Sequence, residues 1–329
     1  MKAAVIKNAG GPENILIEDR AIPTSKEGWV LIKVRAFGLN RSELMTRKGL
    51  SPGVLFPRIL GIECVGEVES DPSGEFTTGQ KVAAFMGGMG RDFDGSYAEY
   101  TLLPKPLLIP FESELSWKQL GAMPEMFQTV YGSLHLALKI QAGETILIRG
   151  GTSSIGMLAI QLAKNSGLSV IATTRNPEKT EMLLKNGADR VIIEDGYIMQ
   201  KVKTHVPDGV NKVLELVGTA TLKDSCACAA PGGIVCMTGM LAEQWSIQDF
   251  APMEYIPATV SLTVYDSGQI RVDKVLFQQF IRDVEAELIN ISIGRSFKLD
   301  EIAAAHSLMD SNNSGGKIVI LLNSENTDF

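Results

Sequence analysis

The residues best suited to chemistry are those that could hold an anion. Residues 145–156 read T-I-L-I-R-G-G-T-S-S-I-G: an apolar run fit for a buried strand, a glycine pair that breaks it, and the start of an amphipathic run. Apolar groups at Met157, Leu158, Ile160, Leu162 and Ala163 recur at helical spacing, so the segment predicts strand, tight turn and helix. Backbone N–H groups at such a helix start lack partners inside the helix and suit a pyrophosphate. The candidate contacts are Gly151, Thr152, Ser153, Ser154, Ile155 and Gly156. Serine at 153 stands where a dinucleotide fingerprint carries its middle glycine, so the motif taken alone is incomplete.

A second anion site is expected where the next strand ends, in V-I-A-T-T-R-N-P-E-K. An enzyme selecting NAD places Asp or Glu there for the ribose hydroxyls, and such a carboxylate repels a 2′-phosphate. Here Thr174 takes that place, Arg175 follows at once and Lys179 opens the next helix, a set that favours NADPH over NADH. Glu178 adjoins Lys179, but a helix begun by Pro177 would point it away. The alternative is a solvated basic turn.

The elements that position these residues alternate. Strands are expected at 168–173, Arg190–Ile193, 212–216 and 233–237, with helical stretches between them such as 177–186, which argues for a parallel, doubly wound sheet of the Rossmann kind. The chain before it is mainly β, with strands at Lys2–Ile6, Trp29–Gly38, 61–69 and Lys81–Phe85 packing as a small irregular barrel. Residues 85–97, rich in glycine, read as a mobile loop. A helix at 116–123 leads to Pro124, which marks the crossing into a nucleotide domain spanning 125–265. Beyond it, a helix at 272–288 offers Val275, Phe277, Phe280, Ile281 and Val284 as its apolar face. The short elements 291–297, 299–309 and 317–322 cannot form a domain alone, so 266–329 should complete the domain begun by 1–124.

Composition bounds the function. A chain of 329 residues with 45% hydrophobic and 21% charged residues is long enough for about two globular domains. Its net charge of −7 disfavours nucleic acid as a partner. No apolar run approaches the roughly 18 residues that span a bilayer, and the start M-K-A-A-V lacks a signal-peptide core, so a cytosolic protein with no membrane contact is expected. Cys64, Cys226, Cys228 and Cys236 make no disulfide framework, and the pair at 226 and 228 reads as small packing residues rather than metal ligands.

With G-G-T-S-S-I-G at the centre, S-F-K-L-D-E-I-A-A-A-H-S-L-M and G-G-K-I-V-I at the end, and G-L-N-R-S-E-L-M, G-I-E and M-P-E-M-F-Q-T before it, the whole chain resembles the medium-chain dehydrogenase/reductase superfamily. Its zinc-independent quinone oxidoreductase branch looks most similar. The resemblance implies a GroES-like barrel beside the Rossmann domain. The zinc-dependent branch would place cysteine at Asn40 and histidine at Ile62, so no metal is expected. Without zinc, a hydrogen-bond donor must stabilise charge on a substrate carbonyl, and Asn40 is the candidate catalytic residue; its amide either does this or ties its own loop. Many relatives carry tyrosine where this chain has Met45, so a tyrosine proton relay is not expected here.

On the cofactor side the resemblance implies Gln128 and Thr129 beside the nicotinamide ribose. It adds Val217-Gly218 and Thr238-Gly239 at strand ends, and Leu262 to Val264 near the carboxamide. Val217 and Val264 could equally be sheet core. Lys317 faces either the cofactor or solvent, and Met45, Phe85, Met86 and Met89 are expected to line the substrate site. Tyr97, His135 and His306 read as packing residues. The implied activity is NADPH-dependent hydride transfer to a quinone or similar conjugated carbonyl. Alternatives are an enoyl-thioester or enone reductase, or a non-enzymatic NADPH-binding protein. The apolar strand A-T-V-S-L-T-V at 258–264 should lie at a sheet edge and join a homodimer.

Overall fold

The computed structural model describes residues 1–269 and 273–322. The N-terminal stretch carries strands β1 Lys2–Ile6, β2 Ile15–Asp19 and β3 Trp29–Gly38, the short helix α1 Arg41–Arg47, and strands β4 Arg58–Ile59, β5 Glu63–Ser70, β6 Lys81–Phe85, β7 Tyr100–Pro104 and β8 Leu108–Pro110. Helices α2 Trp117–Gly121 and α3 Pro124–Tyr131 follow. The middle alternates: β9 Thr145–Arg149, α4 Ser154–Asn165, β10 Ser169–Thr174, α5 Thr180–Lys185, β11 Arg190–Ile193, α6 Met199–His205, β12 Val210–Glu215, α7 Thr219–Cys228, β13 Ala229–Met237, α8 Pro252–Tyr255 and β14 Ser261–Val264. The chain ends with α9 Lys274–Glu285, β15 Ile293–Lys298, α10 Ile302–Asp310 and β16 Lys317–Leu321.

These elements form two compact units, one joining Met1–Glu125 to the chain from Asp273 onward, the other holding the residues between. In the first, β15-β16-β3-β5-β6-β8 form a sheet with β7 also on β3, and β2-β1-β4 form a smaller one. β16 pairs antiparallel with β3, Val319 facing Gly38, so the last strand is built into the N-terminal sheet. In the second unit the order β11-β10-β9-β12-β13-β14 is parallel throughout, so every strand sends its carboxyl end to one edge. That is a doubly wound α/β sheet, and its near-continuous apolar strands such as T-I-L-I-R reflect burial on both faces. Residues 266–269 pack with this unit: the Tyr265 hydroxyl donates to Gln128 O at 3.0 Å, and Gln128 Nε2 to Ser267 O at 3.2 Å. Among the described residues no helix is long and apolar enough to cross a membrane.

Three expectations need correction. The 85–97 loop is pinned rather than mobile: Met89, Ser96 and Tyr97 are buried, Tyr97 stacks on Phe37 with ring centroids 4.9 Å apart, and a Cβ on Gly95 would lie 2.1 Å from Gly61 O. Met45 and Met89 belong to the core of the first unit, and Phe85 packs on Phe277, so these side chains fill the core and do not line a substrate site. Val275 is exposed, because the apolar stripe of α9 runs through Phe277, Phe280, Ile281 and Val284 and leaves the first turn outside; Val272, where that helix was expected to start, lies outside the described residues.

Candidate active site

In the second unit the turn after β9 is built from its own backbone. Gly150 N donates to Thr173 Oγ1 and Gly151 N to Thr173 O, both at 3.1 Å, which locks the turn onto β10. Ser153 caps α4: its hydroxyl donates to Gly150 O at 2.8 Å and accepts from Gly156 N at 3.0 Å. Serine therefore does not weaken the motif; it spends its side chain closing the turn. Gly156 must be glycine, since a Cβ there would stand 2.5 Å from Gly150 O. The N–H groups of Ser154 and Ile155 take no partner among the described residues and stand at the start of a twelve-residue helix, with the half-buried Thr152 and Ser154 side chains beside them.

At the end of β10, Thr174 is buried and its Oγ1 is occupied by Asn176, accepting from its N at 3.1 Å and donating to its O at 3.2 Å. The hydroxyl shapes the turn, while Arg175 is exposed with no hydrogen bond or ion pair among the described residues, and Lys179 is half-buried at the end of the next turn. Val217 and Gly218 follow β12, Thr238 and Gly239 follow β13, and Leu262 and Val264 sit in β14, so the same sheet edge gathers them all. Gln128 and Thr129 on α3 reach that edge through the next turn of helix, where Ser133 Oγ lies 2.9 Å from Thr238 Oγ1. Neither Val217 nor Val264 is core: the first is half-buried, the second 66% exposed.

Sequence reasoning missed what holds this edge together. Glu215, fully buried in β12, accepts from Val217 N at 2.6 Å and Gly218 N at 3.0 Å through Oε1, and from Ser225 and Thr221 hydroxyls through Oε2. The polar backbone of that turn is thus spent internally, and Val217 and Gly218 offer a bound ligand shape rather than N–H donors. Arg149, also fully buried, donates to Glu194, Asp224, Ser225 Oγ and the carbonyls of Thr221 and Gly196. The signal was present as charged residues inside the apolar runs T-I-L-I-R and V-L-E-L, where a charge is retained only when it is paired.

In the first unit, Asn40 stands at the N-terminal end of α1 but makes no side-chain cap. Its Nδ2 donates to Glu63 Oε1 at 2.8 Å, with longer contacts of 3.4 Å to Glu43 Oε1 and 3.5 Å to Gly38 O. Lys317 Nζ donates to Asn40 Oδ1 at 2.5 Å and pairs with Glu63 Oε1 at 2.8 Å. Lys317 thus does not face solvent: it is buried in an ion pair, and Gly38 makes room, since a Cβ there would lie 2.2 Å from Lys317 Cε. Glu63 Oε2 accepts from Glu125 N at 2.8 Å, and Glu43 Oε1 from Ile62 N at 3.2 Å. Burial, and next the neighbouring Glu63, push the Glu43 carboxyl up to about 8, with Lys317 opposing. Behind the cluster, the Tyr97 hydroxyl lies 3.1 Å from His306 Nε2, and burial, aided by Arg47, holds that imidazole down to about 3, so it stays neutral. His135 is half-buried against Tyr131. Zinc does not fit this donor set: Ile62 has no ligand atom and the Asn40 oxygen is already taken by an ammonium.

An alcohol dehydrogenase GroES-like domain model matches residues 26–113, and a zinc-binding dehydrogenase model matches residues 154–280. Human quinone oxidoreductase is 28% identical over 334 residues, covering 98% of this chain and 98% of its own length. A 2-haloacrylate reductase from Burkholderia is 26% identical over 336 residues, covering 97% and 98%. The structure of Escherichia coli quinone oxidoreductase complexed with NADPH matches this fold with a TM-score of 0.88 at 20% identity, over 98% of this chain and 100% of that one. With a barrel-type model on one unit, a dehydrogenase model on the other and relatives aligned from end to end, the chain belongs to the medium-chain dehydrogenase/reductase superfamily, in its quinone oxidoreductase branch.

Proposed function

We propose that the protein is an NADPH-dependent reductase that delivers hydride to a quinone or similar conjugated carbonyl without zinc. The carrying observation is the carboxyl edge of the parallel sheet, where the N–H groups of Ser154 and Ile155 take no partner among the described residues, an exposed Arg175 follows β10, and no carboxylate ends that strand. The dinucleotide supplies the hydride when bound; the chain supplies binding and orientation. The 150–156 turn receives the pyrophosphate, Arg175 and Lys179 the 2′-phosphate, and Gln128 and Thr129 the nicotinamide ribose. Val217, Gly218, Thr238, Gly239, Leu262 and Val264 shape the surface beneath. Asn40 is the proposed donor to the substrate carbonyl. One of its two amide hydrogens is given to Glu63, the other makes only the contacts at 3.4 and 3.5 Å, and the Lys317 ammonium on Oδ1 polarises the group.

A second reading, reduction of a carbon–carbon double bond conjugated to a carbonyl, is favoured by the Burkholderia relative named for 2-haloacrylate. NADPH oxidation measured in EDTA with 1,4-naphthoquinone, cyclohexenone and crotonyl thioester separates the readings. Turnover lost in chelator removes the zinc-free mechanism, and tight NADPH binding without turnover of any acceptor leaves a binding protein. Charge-assisted contacts contribute roughly 1.5 to 3 kcal/mol, so Arg175→Ala should lower kcat/KM for NADPH by about 10- to 100-fold and leave NADH nearly unchanged. Equal losses with both cofactors would remove the phosphate assignment. The unpaired edge of β14 supports a homodimer, to be read by light scattering as twice the 35.6 kDa of the chain; a monomer at micromolar concentration would rule it out. Four free, buried cysteines suit the reducing cytosol, the compartment we propose.

A further inference from the structure

Three arginines of the first unit are paired with acids, Arg35 with Glu67, Arg47 with Asp310 and Arg58 with Asp94. Arg91 is half-buried and makes no ion pair among the described residues. Its one side-chain hydrogen bond is from Nη2 to Ser42 Oγ at 2.6 Å. Its Nε is shut off from solvent without a partner, while Nη1 and the second hydrogen of Nη2 take no partner among the described residues.

The group is held in place rather than trailing from a loose loop. Gly87, Gly88 and Gly90 adopt φ of 63°, 95° and 69°, a left-handed path closed to most other residues. The chain here presses on Gly61 so closely that a Cβ on Gly90 would stand 2.8 Å from Gly61 N. Arg91 N itself donates to Gly88 O at 3.1 Å. Ser42, which holds the guanidinium, sits between Asn40 and Glu43 in sequence, so the cation is anchored to the segment that carries the proposed catalytic amide.

Withdrawing a guanidinium partly from water and giving it only a hydroxyl costs free energy that an oxyanion would return, and two open N–H groups match a carboxylate in geometry. The overall charge of −7 makes a local cation the means by which an anionic molecule would be retained. We propose that Arg91, seated on Ser42, binds a carboxylate of the substrate, so that the acceptors are conjugated carbonyl compounds bearing an acid group. The proposal rests on the reductase reading for its chemistry. A phosphate of the cofactor would satisfy the same guanidinium, and the measurements below separate the two sources.

The test compares 4-oxopent-2-enoate with its methyl ester, the same enone with and without the charge. The wild type should show the higher kcat/KM with the acid. Arg91→Met should lower the acid-to-ester ratio by about 10- to 100-fold, and Arg91→Lys, which keeps the charge, should retain part of it. A wild-type ratio of one or less, or a ratio unchanged in Arg91→Met, overturns the proposal. A rise in the KM for NADPH without a change in ratio assigns the anion to the cofactor and overturns it too. If neither acceptor nor a quinone is reduced, the reductase reading fails, and calorimetric titration with 4-oxopentanoate still reads Arg91. Binding by the wild type that is lost in Arg91→Met upholds the carboxylate site, and no binding by the wild type removes it.

Discussion

Glu43 and Glu63 share the amide of Asn40 with a single ammonium, Lys317, and all three charged groups are buried. One positive charge balances one carboxylate, so the other keeps its proton, and the carboxyl pushed up to about 8 is Glu43. Its ordinary value is 4.5, so between there and about 8 the folded protein holds a proton that the unfolded chain has released. The associated stability is whole below the lower value and is lost as pH rises through the upper one, at most about 1.4 kcal/mol per pH unit. Glu43→Gln, which stays neutral, should therefore gain thermal stability relative to wild type from pH 5 to pH 8; melting curves that shift in parallel would show Glu43 already ionised. Asn40 could be picked from the sequence as an amide in place of a metal ligand. Its anchor could not, because Lys317 is 277 residues away and pairing across that distance leaves no local pattern.

The strand–turn–helix from β9 to α4 shows what an element adds. Its outline was legible because a buried strand, two glycines and an amphipathic helix each leave a periodic or conformational mark. The packing of glycines against distant backbone leaves none, which is why the sequence of residues 85–97 predicts a mobile loop while Gly90 and Gly95 lie against Gly61. Glycine-rich sequence signals either freedom or close approach, and only the partner decides between them. At Gly156 the partners are the Gly150 carbonyl at 2.5 Å and Gly151 Cα at 2.8 Å from a built Cβ, all backbone that cannot rotate aside. Gly156→Ala must open the turn, and overpacking of about 1 to 3 kcal/mol would weaken NADPH binding by roughly 5- to 100-fold. Fluorescence titration giving an unchanged Kd would mean that this turn does not carry the cofactor.

At the scale of the molecule, the closing segment was legible as too short to stand alone, while its destination needed the sheet: β16 lies between β15 and β3, with Ile320 facing Phe37. A chain ending at Gly316 would lose that strand together with Lys317, leaving β3 with an open edge and Glu63 buried without its cation. Such a truncation should abolish the cooperative melting of the first unit; a transition and solubility matching the full chain would show β16 to be dispensable. The same strand order carries a consequence for synthesis. A ribosome releases β3 well before β16, with the entire second unit made between them. At roughly 5 to 20 residues per second, the nascent barrel waits about 10 to 40 seconds for the strand that closes it. The unit begun before the other is finished after it, and during that wait its apolar edge is a natural target for a chaperone.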